Sequence, residues 1–253
     1  MTQALLDSLP PDLAEMARAA AIPHWFDAGI LAALRPELAE RAEQLYADLQ
    51  RLPFVEPFAG RGHNVHELTR RLMLAHWWTE QRDEYVALSR RAANYFDSLI
   101  RQAAELLKAQ IEELQRTESD EQLRAKKLQA WAGQNQDSLK PLSPNVQIEH
   151  IYHLLIADPE HGADAVWNQG VNWNNTFDYA SVSALARVVR EHADTGHATG
   201  RGRGWGRFFE GVMASLRSEN PQARDALTEA LASSSGDKPL EANCIRALGD
   251  VHV

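Results

Sequence analysis

The sequence predicts a mainly α chain with one small β-hairpin, on three observations. Apolar residues recur at helical spacing, as in Leu38, Ala42, Leu45 and Leu49. Prolines such as Pro11, Pro23 and Pro36 fall where helices start or stop. Only Phe54-Val55-Glu56-Pro57-Phe58 and His63-Asn64-Val65 read as strands, joined by the turn residues Ala59-Gly60-Arg61-Gly62.

A first helix opens at Asp7-Ser8-Leu9-Pro10-Pro11 and runs to Ala21, where Pro23 stops it. A short second helix spans Phe26 to Leu34, and a third runs from Pro36 to about Arg51. After the hairpin, helices run from about His66 to Gln81 and from about Arg82 to Leu99. Three helices, a two-stranded wing and a closing helix form a winged-helix pattern over residues 1–100. Its core is expected to hold Trp25, Phe26 and Leu31 near Leu45 and Leu68.

Residues 101–145 read as a helical connector, either a coiled-coil hairpin or an extended link. Ile100, Ala104, Leu107, Ile111 and Leu114 form a seam with 4-3-4-3 spacing. Ser119 is placed to cap a second helix with Gln122 three residues on, and Lys140-Pro141-Leu142-Ser143-Pro144 reads as a linker.

Residues 146–253 read as helical hairpins. Val146 to Ile156 is amphipathic, and Asp158-Pro159 restarts a helix. Asn168 to Phe177 reads as a polar and aromatic turn, Ser181 to His192 as helix, and Gly196 to Gly206 as a glycine break. Gly211, Ala223, Leu227 and Ala230 then fall where the tetratricopeptide repeat places glycine, alanine, a large apolar residue and alanine. Ala247-Leu248-Gly249 reads as the start of a next repeat, cut at Val253, so the chain is expected to belong to a longer protein.

The totals narrow the function classes. Of 253 residues, 44% are hydrophobic, enough to bury a substantial core. Mean hydropathy is −0.42, and there is neither a membrane-length apolar run nor a secretory signal pattern, so the expected location is cytoplasmic. The lone Cys244 excludes an internal disulfide and a thiolate zinc cluster. A net charge of −9 argues against nucleic acid and anionic membranes as partners.

Four segments carry a family resemblance: "AIPHWFDAGIL", "LPFVEPF…NVHELTRRLML", "LSRRAANYF" and "HIYHLLIADPEHGADAV". In this order they resemble the region that follows the nucleotide-binding core of bacterial STAND-type signalling ATPases, relatives of the NB-ARC proteins. The resemblance implies a winged helix packed on an ATPase domain of the same protein, with tetratricopeptide repeats as sensor. Val65-His66-Glu67 resembles that family's Met-His-Asp motif, with Val for Met and Glu for Asp. The resemblance implies that His66 senses nucleotide by reaching the phosphates of bound ADP. Read without it, the tripeptide is a polar helix start with nothing bound.

Catalytic chemistry is not apparent in the residues. No G-x-x-x-x-G-K-[ST] phosphate loop and no Gly-x-Ser-x-Gly elbow occurs. Gly200-Arg201-Gly202-Arg203-Gly204-Trp205-Gly206 reads as a flexible loop, its arginines and Trp205 being the only hint of single-strand binding. His150/His153 and His63/His66 give two imidazoles each, short of a metal set. The third helix is acidic, with Glu37, Glu40, Glu43 and Asp48, which argues against DNA reading. Arg70, Arg71, Arg90 and Arg91 read as a basic cluster facing acidic helices of the same protein.

These readings predict a non-catalytic regulatory region that relays protein or peptide binding on the repeats to a nucleotide-binding core. It would hold no cofactor of its own, ADP or ATP belonging to that core. The alternatives are a stand-alone protein-binding scaffold and a winged-helix DNA-binding regulator.

Overall fold

The computed structural model describes residues 6–198 and 200–251. Among these, thirteen α-helices and one two-stranded antiparallel ladder make a mainly helical chain. No helix of the described residues is long and apolar enough to cross a membrane.

The N-terminal elements are α1 (Pro11–Ala20), α2 (Ala28–Leu34), a 3-10 turn (Pro36–Arg41), α3 (Ala42–Leu49), β1 (Val55–Pro57), β2 (His63–Val65), α4 (Glu67–Glu80) and α5 (Arg82–Thr117). The second helix starts later than its apolar pattern predicts. Asp27 caps it, accepting from the Ile30 N–H at 2.8 Å. Phe26 is left extended and bridges His63, with N–H···O distances of 2.7 and 3.0 Å. The hairpin pairs Val55 with Val65 and Pro57 with His63. Gly62, at φ 92°, makes the close approach possible, since a Cβ there would lie 2.5 Å from the Phe26 carbonyl oxygen. Trp25, Phe26, Leu31 and Leu45 are buried together, but Leu68 is 57% exposed on the outer face of α4. Met73 and Leu74 fill the place expected of Leu68.

The closing helix and the connector seam are one helix, and α5 runs unbroken through residue 100. Ala103, not Ala104, is the buried small residue of the seam. Asp120, not Ser119, caps α6 (Glu121–Gln134), accepting from the N–H groups of Gln122 and Leu123. No residue of α6 is buried. The Lys140-to-Pro144 stretch is not extended: α7 (Gln136–Leu139) runs into a 3-10 turn (Lys140–Leu142).

The remaining helices are α8 (Pro144–Ala157), α9 (Pro159–Asn175), α10 (Tyr179–Asp194), α11 (Gly200–Leu216), α12 (Asn220–Ala232) and α13 (Lys238–Val251). Two expected breaks are helical. The polar stretch 168–175 completes α9, because Trp173 is buried and Gly170 admits the Phe209 ring. The glycine-rich stretch from Gly200 opens α11, because Gly204 and Gly206 within it, and Gly211 beyond it, are contact points. A Cβ at Gly204 would lie 2.6 Å from Leu240, one at Gly206 2.5 Å from Val189, and one at Gly211 2.6 Å from Leu227. Tight packing thus offsets the roughly 1 kcal/mol that each glycine costs a helix relative to alanine.

Gly206→Ala tests this. Val189 is stiff at χ1 and cannot swing away. Overpacking of about 1–3 kcal/mol should outweigh the 0.5–1 kcal/mol gained in helix propensity. The expected result is a lower urea midpoint; a higher one would mean that the contact relaxes.

Two cores result. The first joins α1 to α5 and the hairpin around Phe26, Trp77 and Phe96; the second joins α8 to α13 around Trp205 and Phe209. Helix α8 serves both, giving Val146 and Ile156 to the first and Ile148, Ile151, Tyr152 and Leu155 to the second.

Candidate functional site

The site begins at the first turn of α4. His66 is its N-cap residue, with φ −47° and ψ 132°, and its side chain makes no capping hydrogen bond. Its N–H donates to the Phe54 carbonyl at 2.7 Å, and its own carbonyl accepts from the Arg70 N–H at 2.9 Å. The imidazole is exposed, and Glu67 beside it suits the positive end of the helix.

Arg70, one turn further on, is buried. Its Nε donates to the Pro23 carbonyl at 3.3 Å, and Nη2 donates to the Ile22 carbonyl at 3.2 Å and the Tyr152 hydroxyl at 2.8 Å. Nη1 meets the Glu191 carboxylate at 3.2 Å. One guanidinium therefore joins the end of α1, helix α4, helix α8 and helix α10. Glu191 also accepts from the Tyr152 hydroxyl at 3.3 Å and lies 3.4 Å from His24 Nε2. On the other side of His24, Glu149 accepts its backbone N–H at 2.8 Å and faces its Nδ1 at 2.9 Å. Glu149 also holds His153 Nε2 at 3.2 Å.

The charges settle one another. Burial and the Arg70 charge push the His24 pKa down, but Glu149 and Glu191 outweigh them and leave it raised. Burial alone would raise the Glu149 and Glu191 carboxyls, yet their cationic neighbours hold both below the usual carboxylate range. Arg70 and the His24 ring, whose pKa is raised, thus face two carboxylates. Desolvating such groups is tolerated only because each is paired and hydrogen-bonded. The cluster can hold two helical units in a fixed relation and can respond to a charge brought near it.

A ring of neutral imidazoles surrounds it. His192 Nε2 donates to the Tyr152 carbonyl at 3.0 Å, and His197 lies 4.0 Å from the Trp78 ring. Burial holds His192 down to about 3, His197 to about 4, and His153 below its ordinary value. In the unfolded chain all three take up a proton near pH 6.5. Below that pH the unfolded state binds more protons, so stability falls as pH falls. His24, raised when folded, makes its full contribution below pH 6.5 and adds no opposing slope there. The depressed Glu149 and Glu191 add further losses only below about pH 4.5. By pH 5, His192 alone should cost about 2 kcal/mol. The check is the urea midpoint at pH 7 and pH 5; equal midpoints would contradict neutral buried imidazoles.

The other sequence candidates are dispersed. His63 Nδ1 is 2.8 Å from the Tyr46 hydroxyl and does not converge with His66. No group of three or more His, Cys, Asp or Glu among the described residues is arranged to hold a metal. The expected basic cluster does not form. Arg71 pairs with Glu67, while Arg90 and Arg91 donate to the terminal carbonyls of α8 (Ala157) and α2 (Leu34). The single-strand reading of the glycine-rich stretch fails, because Trp205 is fully buried and donates to Asp237 at 3.1 Å. Arg201 is held by Asp237, Asp164 and Glu160. Cys244 is buried, its thiol pushed up to about 11 by burial.

Sequence reasoning missed His24, Glu149 and Glu191. One signal was present: Glu149 stands between Val146, Ile148 and Ile151 on a helix apolar nearly all round.

No family model, characterised protein or solved structure matches the chain.

Proposed function

We propose that this chain is a non-catalytic relay of a STAND-type signalling ATPase, coupling a partner-binding helical array to a nucleotide-binding core. One observation carries the reading. His66 and Arg70 are successive-turn neighbours on α4, joined by a backbone hydrogen bond, one exposed and the other buried in the junction with α8 and α10. A shift of the α4 N-terminus on contact with the core would move Arg70, and a shift of α10 would act on His66 through the same helix.

Two further features support it. The order of helix, bridge residue Phe26, two helices and a hairpin whose second strand pairs with that residue is the order expected of a winged helix. Gly211 meets Leu227 between α11 and α12, with Ala223 and Ala230 buried beside it, as the tetratricopeptide pattern requires.

The test is a protein that joins this chain to its ATPase core. His66→Ala should weaken ADP retention by about one charge-assisted hydrogen bond, 1.5–3 kcal/mol, and raise basal signalling. Unchanged ADP affinity would make His66 structural. Coding sequence beside this chain with no G-x-x-x-x-G-K-[ST] loop would favour the stand-alone scaffold.

A further inference from the structure

A groove of about 600 Å³ lies over the Arg70 cluster, walled by the hairpin and α4 on one side and by α8 and α10 on the other. Its apolar lining includes the exposed ring of Phe58 and the edges of Ile148 and Val188, which are otherwise buried in the second core. Its lining charges are unequal. Glu67 is paired with Arg71, and Glu149 and Glu191 are engaged in the cluster below. Arg190 is held by Glu210. Arg61 and Arg187, on opposite walls, make no ion pair among the described residues. Arg61 is half-buried over the Trp25 ring at 5.9 Å, and the carboxylate that acts on it, Glu149, is already engaged by His24 and His153. Asp194 is the one lining carboxylate without an ion pair.

We propose that this groove docks an acidic peptide segment, its carboxylates on Arg61 and Arg187 and its apolar side chains on Phe58, Ile148 and Val188. Paired guanidinium–carboxylate contacts around an apolar strip are the anatomy of a peptide site. A polyphosphate strand fits less well, because it offers nothing to the apolar lining and would set a phosphate charge at every step beside Glu67 and Asp194, where a peptide need carry only the carboxylates that meet Arg61 and Arg187. The proposal rests on the relay reading only for what docking would accomplish; docking itself is measured separately.

The experiment is a random-peptide display selection on the whole chain, followed by anisotropy with the enriched peptides and with a thymidine oligonucleotide. Enriched sequences should combine Asp or Glu with large apolar residues. Arg61→Ala with Arg187→Ala should weaken them by about tenfold or more, while Arg116→Ala, in the last turn of α5 and outside the groove lining, should leave them unchanged. No enrichment, enrichment of uncharged or basic peptides, or equal binding by the double variant would overturn the proposal. So would oligonucleotide binding lost in that variant, which would assign the groove to nucleic acid. A peptide that binds through both arginines, yet leaves amide exchange at residues 66–70 unchanged, would uphold the groove and contradict the relay.

Discussion

Arg70→Ala should destabilise the protein by about 3–5 kcal/mol, the usual consequence of removing one partner from a buried pair. Arg70 is 1% exposed, and its guanidinium satisfies two backbone carbonyls, a tyrosine hydroxyl and Glu191. Its loss leaves the Ile22 and Pro23 carbonyls without their donor and removes a cation from beside Glu191. Adding Glu191→Gln should recover part of the loss, because the stranded carboxylate is then neutral. Residues in one network couple by about 0.5–3 kcal/mol. Urea unfolding of the four proteins in this cycle is the check. A single-mutant loss below about 1 kcal/mol would place Arg70 among ordinary surface ion pairs.

Trp205→Ala should cost a comparable 3–5 kcal/mol, by a different route. The indole is fully buried, stacked on Trp167 at 4.1 Å and packed edge-on to Phe208. It also donates to Asp237, whose carboxylate accepts from the Leu240 N–H at the start of α13. Truncation therefore opens a cavity in the second core and loosens the cap that docks the last helix. Thermal unfolding should show the loss. A melting temperature within a degree or two of wild type would mean that the indole is not a core element.

Much of the fold could be read locally, and the exceptions share a cause. Prolines and turn glycines marked the hairpin and most helix starts, because those residues act through their own backbone. Residues 200–206 were misread because glycine's local preference was outweighed by Val189 and Leu240, which are distant in sequence. Residues 168–175 were misread for the same reason, with Phe209 as the distant partner. The caps at Asp27 and Asp120 moved helix starts by a residue or two, within the tolerance of any boundary.

The candidate site was half legible. His66 stood out because its neighbours form a short motif at a strand-to-helix junction. Arg70 did not, since an arginine followed by another arginine looks like a solvated helix face. Its burial depends on His24, Tyr152 and Glu191, which lie 46 to 121 residues away in sequence. The packing of α8 along α5, and of α10 on α8, brings them together at the turn after α1 and the start of α4.

The relay requires that the two cores communicate through the Arg70 junction, and amide hydrogen exchange on Glu191→Gln tests this most directly. The substitution keeps the side chain's shape on α10 and removes the charge that Arg70 and His24 face. Coupling predicts faster exchange across the junction, at residues 24–26 and 66–70, as well as in α10 itself. Exchange that changes only within α10, with residues 66–70 as protected as in the wild type, would show that the Arg70 junction does not couple the two units and would contradict the relay.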